Sequence, residues 1–329
     1  MKYRNALPQL NGTQMITDGG LETTLIFHEG IDLPLFAAFT ALDTDKGVAT
    51  MDAYMERHAR IALAKQRGFL MDTPTWRASA RWAAELGVSH DKLRAVHREA
   101  VCSLRALRER LEQPETSPFV INGVIGPQDD GYAPARLLTE EQAEAYHSVQ
   151  IGWFDEFGAD MVSAITMTYS EEAIGIARAA KAKAMPLAIA FTVETDGNLP
   201  SGETLKDAIA RVDAATDAAP AYYMINCAHP DHFVHVLHGA WTTRIRGIRA
   251  NASRLSHEEL DAAETLDDGD PVELGVLYAG LDVLLPNLTV VGGCCGTDHR
   301  HIAAICEALG TSDHANRSQN RIEGKKHAS

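Results

Sequence analysis

The chain is short of positive charge, of cysteine and of aromatic residues. Thirty Lys and Arg stand against 45 Asp and Glu, a formal net charge of -15. That balance lacks the cationic excess that phosphate backbones demand, which argues against nucleic acid as a partner. No apolar run approaches the roughly 18 residues of a membrane-spanning helix. The opening stretch, MKYRNALPQLNGTQM, has no apolar core of the kind a secretory leader carries, which predicts a cytoplasmic protein with reduced thiols. Five cysteines in 329 residues are too few, and odd in number, for a disulfide framework. A hydrophobic content of 45% excludes global disorder.

What the sequence does have is alternation. Short apolar, β-branched runs fall at 14–18, 68–73, 119–125, 160–167, 186–193, 221–227, 244–251 and 288–294. They are continuous rather than every-other-residue apolar, the pattern of strands buried on both faces of a parallel sheet. Helical patterns lie between them, at 44–67, 91–113, 139–157, 170–184, 204–218, 230–240, 257–283 and 298–310. Thr139 with Gln142, Ser170 with Glu171 and Glu172, and Asp298 after Gly296-Thr297 read as helix starts. A strand followed by a helix, eight times over, predicts a single-domain α/β chain folded as a (β/α)8 TIM barrel. A doubly wound open sheet is the alternative, weakened because no Gly-rich dinucleotide fingerprint follows the first strand. The barrel is expected over 1–310, with 311–329 as a polar, mobile tail. No oligomerisation arm is evident, so monomer and homodimer both fit.

Three of the five cysteines sit at predicted strand ends. The sixth strand runs into Asn226-Cys227-Ala228-His229-Pro230 and the eighth into Gly292-Gly293-Cys294-Cys295-Gly296-Thr297. In a barrel both ends lie on the carboxyl-terminal face, where such enzymes place their chemistry. Adjacent side chains in a strand point to opposite faces, so Cys294 and Cys295 can share one ion only if the chain turns there, which the glycines permit. Three thiolates favour zinc, and three protein ligands leave its fourth position open. A sulfur-rich site suits holding an incoming thiol better than activating water, so the matching chemistry is alkyl transfer to sulfur. A vicinal disulfide or redox switch at the adjacent Cys294 and Cys295 is the competing reading. Cys102 and Cys306, on helical patterns, read as small packing residues. His229 reads as a helix-start residue rather than a fourth ligand.

Together, GGCCGT, the distal NCAHP and an early TDGGLET resemble the homocysteine S-methyltransferase family over about Met15 to Leu309. The resemblance implies a zinc-dependent barrel moving a methyl group from a sulfonium or quaternary ammonium donor to a thiol such as homocysteine, giving methionine. It implies Cys227, Cys294 and Cys295 as zinc ligands, and Asp18, Gly19, Gly20, Asn226 and Asn251 near substrate. Gly126-Pro127 and the segment from Phe191 to Gly197 match further family motifs, and Thr75-Trp76-Arg77-Ala78-Ser79 matches another with two changes. Trp76 could face an onium cation, and Arg77 offers a fork suited to a carboxylate or sulfonate. Asp18 could hold a cation or cap the Gly-Gly turn, and Asn226 and Asn251 could order the site or satisfy buried backbone.

One position departs from the family. Ile165 stands where the family carries the glutamate that grips the amine of homocysteine. An ammonium beside isoleucine is desolvated without compensation. Either another carboxylate makes that contact or the acceptor is a related thiol without the amine. A metal-dependent hydrolase on the same barrel would need His and carboxylate ligands at strand ends, and few are there. A non-enzymatic zinc or redox sensor would need no substrate pocket.

Overall fold

A computed structural model describes residues 1–132 and 134–310. Eight parallel strands close into a barrel in sequence order: β1 (Met15–Ile16), β2 (Gly68–Asp72), β3 (Phe119–Ile125), β4 (Met161–Met167), β5 (Leu187–Phe191), β6 (Tyr222–Asn226), β7 (Ile245–Ala250) and β8 (Val290–Gly293). β8 pairs back onto β1 through Val290 and Met15. The expected tail at 311–329 lies outside the described residues.

The continuous apolar strands are explained by two cores. One face of each strand points into the barrel, where Met15, Leu70, Val120, Met161, Ile165, Tyr222, Met224 and Val290 pack on one another. The intervening residues, among them Ile16, Phe69, Ile121, Val162, Ile189, Ile225 and Ile248, face the helices. The amino-terminal face of the barrel is closed by the turn Pro8–Asn11, whose Gln9 amide donates to the Tyr222 hydroxyl at 3.3 Å.

Helices follow the strands as expected, with three differences. The pattern read as 257–283 is two helices, His257–Asp261 and Pro271–Leu284. Gly269, at a φ of 54°, and the Asp270-Pro271 start separate them. The segment after β6 holds only a four-residue helix, Pro230–Phe233, and a 3-10 turn. A short helix, Ala80–Glu85, precedes the long His90–Leu111. Thr139 and Gln142 form a reciprocal capping box, and Asp298 caps His299–Ala308. Ser170 does not cap its helix; its hydroxyl donates to Glu203 instead. Cys306 is buried, but Cys102 is exposed on the outer face of its helix, so its reading as a packing residue is corrected.

Candidate active site

Cys227, Cys294 and Cys295 converge because three neighbouring strands end together. Cys227 leaves β6 with a φ of 52° while its N–H still donates to Arg249 O of β7 at 3.1 Å. Cys294 leaves β8 with its N–H on Ala250 O at 2.8 Å. A turn follows at once. The Thr297 N–H and hydroxyl both donate to Cys294 O, at 3.1 and 2.7 Å, and Gly296 takes a φ of 79°. A residue with a β-carbon is disfavoured there, and this glycine lets two adjacent cysteines aim at one point. The three sulfurs lie within 4.8 Å of one another. Gly20 makes room from the other side, since a β-carbon on it would stand 2.7 Å from Cys294 O.

Cys227 and Cys294 are paired as a disulfide. The bond spans two strands rather than the neighbours 294 and 295. The ends of β6 and β8, either side of β7, bring the two Cα atoms to 5.4 Å, inside the span of a disulfide. Metal binding needs both sulfurs as thiolates, so disulfide and metal are alternative states of one site.

Below the sulfurs lies a buried charge cluster that sequence reasoning missed. Arg249 donates to Asp18 Oδ1 at 2.7 Å, to Gly293 O at 3.2 Å, and to Asp72. The Tyr54 hydroxyl reaches Asp18 Oδ2 at 3.3 Å, and the Asn122 amide reaches Asp72 Oδ1 at 2.7 Å. Asp18 therefore neither caps the Gly-Gly turn nor stands free; its partner is a guanidinium. Burial, with Asp72 adding to it, pushes Asp18 up to about 7 against the pull of Arg249. Burial likewise raises Glu22, and burial with the nearby Glu22 pushes the Cys295 thiol up to about 11. A positive ion is what such a buried thiol needs to ionise.

β4 carries the second missed feature. Its register shifts between Ala164 and Met167, and Thr166 takes a φ of 65°. The bulge turns both Ile165 and Thr166 toward the site. Asn226 then clamps Thr166, accepting from its N–H at 2.9 Å and donating to its hydroxyl at 2.8 Å. Of the two roles open to Asn226, the first of these bonds satisfies buried backbone, and the pair together ties β4 to β6. Asn251 lies just past β7, buried, and its side-chain oxygen has no hydrogen-bond partner among the described residues.

Two chambers share the sulfur site. The inner one, of about 70 Å³, is lined by Asp18, Gly19, Gly20, Glu22, Asp72, Trp76, Ile165, Thr166, Arg249 and all three cysteines. The outer one, of about 360 Å³, is lined by Phe27, Phe36, Trp76, Arg77, Asp130, Tyr132, His257, Asp261 and Cys295. Trp76 belongs to both, held by its indole N–H on Ile165 O at 3.1 Å. Arg77 faces the outer chamber, stacked on Trp82 at 4.1 Å and paired with Asp130 at 3.2 Å, so it is not a free anion receptor beside Ile165. Tyr132 brings its hydroxyl to 3.9 Å from Cys295 Sγ. His257 Nε2 bonds Cys227 O at 2.6 Å and its Nδ1 faces Glu194 at 3.1 Å. His229 caps the helix Pro230–Phe233, as expected, accepting from the Asp231 N–H.

The family model for homocysteine S-methyltransferase matches residues 15–309. The chain belongs to the homocysteine S-methyltransferase family. Membership makes it an enzyme, with thiol S-methyltransferase activity as the family's chemistry. Crystal structures of the homocysteine methyltransferase MmuM from Escherichia coli share the barrel. The oxidized form is 18% identical, with a TM-score of 0.70 over 93% of this chain and 98% of that one. The metallated form is 18% identical, with a TM-score of 0.69 over 92% and 98%. Among curated proteins, none matches this sequence. Homocysteine S-methyltransferases thus supply the frame in which Cys227, Cys294 and Cys295 are read.

Proposed function

We propose that the chain is a zinc-dependent S-methyltransferase that moves a methyl group from a sulfonium or quaternary ammonium donor to a thiol, with homocysteine or a related thiol as acceptor. The observation that carries this reading is the convergence of three cysteine sulfurs within 4.8 Å at the mouth of a barrel, all lining one chamber. Zinc–sulfur bonds of about 2.3 Å in a tetrahedron set sulfurs roughly 3.8 Å apart, a spacing this donor set fits after reduction. Cys227, Cys294 and Cys295 would hold the ion. Bound there, zinc supplies a lowered thiol pKa and a fixed place for the acceptor sulfur.

The chain's own residues supply position. The Asn226–Thr166 clamp and the His257 bond to Cys227 O fix the end of β6. The Thr297 hydroxyl fixes Cys294. Ile165 and Trp76 give the inner chamber an apolar wall for the acceptor's methylene stem. The outer chamber combines aromatic faces, Phe27, Phe36, Trp76 and Tyr132, with the carboxylate of Asp261, which suits an onium cation. S-methylmethionine, S-adenosylmethionine and a betaine all carry one. In the transfer a sulfur–methyl bond forms and the onium–methyl bond breaks. Its electron pair stays on the donor heteroatom, and the thiol proton leaves to solvent. Holding both partners in line is the enzyme's main contribution.

The cross-strand disulfide fits a redox-sensing role for the same sulfurs, but a sensor has no use for two chambers beside them. A methyl-transfer screen decides the matter. It crosses onium donors with thiols on reduced, zinc-loaded protein, with Cys294→Ala as the blank. Methylated thiol formed by the wild type and absent from the blank supports the reading. Zinc-loaded protein that transfers no methyl group from any donor overturns it.

A further inference from the structure

We propose that Glu22 is the specificity residue for the acceptor, its carboxylate receiving an ammonium group on the substrate, so that the acceptors are aminothiols. This rests on the thiol-methyltransferase reading of the same site. The inner chamber, the one lined by all three sulfurs, is also lined by three carboxylates, Asp18, Asp72 and Glu22, and by one guanidinium, Arg249. Arg249 is committed, with Asp18 on one side and Asp72 on the other. Arg77 is committed to Asp130 in the outer chamber. Glu22 therefore stands in the chamber without an ion-pair partner among the described residues. It sits in the single helical turn Leu21–Thr23 that follows Gly20, whose backbone passes against Cys294.

The surroundings assign this charge to the acceptor. Val124, Ile165 and Trp76 are among the apolar residues lining the same chamber, and a carboxylate in such surroundings is poorly compensated until a cation arrives. The donor's cation has its own receptors in the outer chamber, Asp261 with the aromatic faces, and Glu22 does not line that chamber. A substrate that places its sulfur among the three cysteines and its methylenes along Ile165 has one unpaired carboxylate in reach for a positive group. A charge-assisted hydrogen bond there discriminates strongly against analogues that lack the amine.

Calorimetric titration of reduced, zinc-loaded protein with homocysteine and with its des-amino analogue, 4-mercaptobutanoic acid, tests this. The wild type is expected to prefer homocysteine by about tenfold or more, the scale of one charged hydrogen bond. Glu22→Gln and Glu22→Ala are expected to erase that preference while leaving des-amino binding and zinc content unchanged. A wild type that binds both thiols equally overturns the proposal without any variant having to fold, and so does a preference that survives both substitutions. If neither thiol binds the zinc-loaded wild type, the thiol-methyltransferase reading falls, and this inference with it.

Discussion

Asp18 meets Arg249 at 2.7 Å inside the barrel mouth, with Asp72 on the far side of the same guanidinium. Two carboxylates share one cation in a buried place, so one of them resists ionising. Asp18, pushed up to about 7 from an ordinary 3.8, is stabilising in its protonated form. That contribution is complete below about pH 4 and is lost as pH rises through 7. Asp18→Asn removes the titration and keeps the shape. Denaturant unfolding across this range should show the wild type losing stability relative to Asp18→Asn up to about pH 7, and a constant gap above it. A gap that is flat throughout contradicts the assignment. Thr166 allows a second test. Thr166→Val keeps the branched shape but takes the hydroxyl from the Asn226 amide, which donates to it at 2.8 Å. Leaving that buried donor unmet should cost about 1–3 kcal/mol of unfolding free energy. Unchanged stability would show that the clamp does not hold β4 to β6.

At the scale of elements, the turn after β8 is what makes neighbouring cysteines equivalent. A β-carbon at Gly296 would stand 2.7 Å from Asp267 O, and the residue needs a φ of 79°. Gly296→Ala should cost about 1–2 kcal/mol from the backbone alone, and should weaken zinc binding because Cys295 is carried off its aim. Wild-type zinc affinity in this variant would mean that Cys295 is dispensable. This turn was legible beforehand, because glycines on both sides of a Cys-Cys pair have little other use. The strands were legible for an equally simple reason: a parallel strand covered on both faces is apolar at every position. The bulge in β4 was not, since nothing in Ser163-Ala164-Ile165-Thr166 announces a left-handed threonine. The resemblance pointed to Ile165 and passed over its neighbour, although both line the chamber. Arg249 was missed because Arg244, Arg246 and Arg249 all lie around one apolar strand. Only the register of β7 shows which one turns inward. The signal available was chemical: a cation buried among strand ends demands carboxylates there, and Asp18 and Asp72 are the ones at hand. Glu22 was in view inside TDGGLET, yet its unpaired state emerges only once the other charges have found their partners.

At the scale of the molecule, the barrel brings together side chains from near residue 18 to near residue 297, so the site and the fold stand or fall together. Zinc that binds only the folded, reduced protein must stabilise it by mass action. Adding zinc under reducing conditions should raise Tm, and the rise should vanish when the Cys227–Cys294 disulfide is left intact. An equal rise in both states would place the metal elsewhere. The net charge of -15 first served to argue against nucleic acid. Under the proposed function it would also favour the approach of a cationic donor, an effect that salt should weaken.

The central claim is that the three strand-end sulfurs form one metal site that takes the acceptor thiol as a further ligand. Cobalt(II) in place of zinc reports this directly, because sulfur-to-cobalt charge-transfer absorption in the near ultraviolet grows with each thiolate bound. The reduced protein should show the absorption of three thiolates and gain that of a fourth when the acceptor thiol is added. Cys227→Ala, Cys294→Ala and Cys295→Ala should each lower the starting intensity. A spectrum unchanged by the thiol, or one that survives loss of any of the three cysteines, would contradict the account.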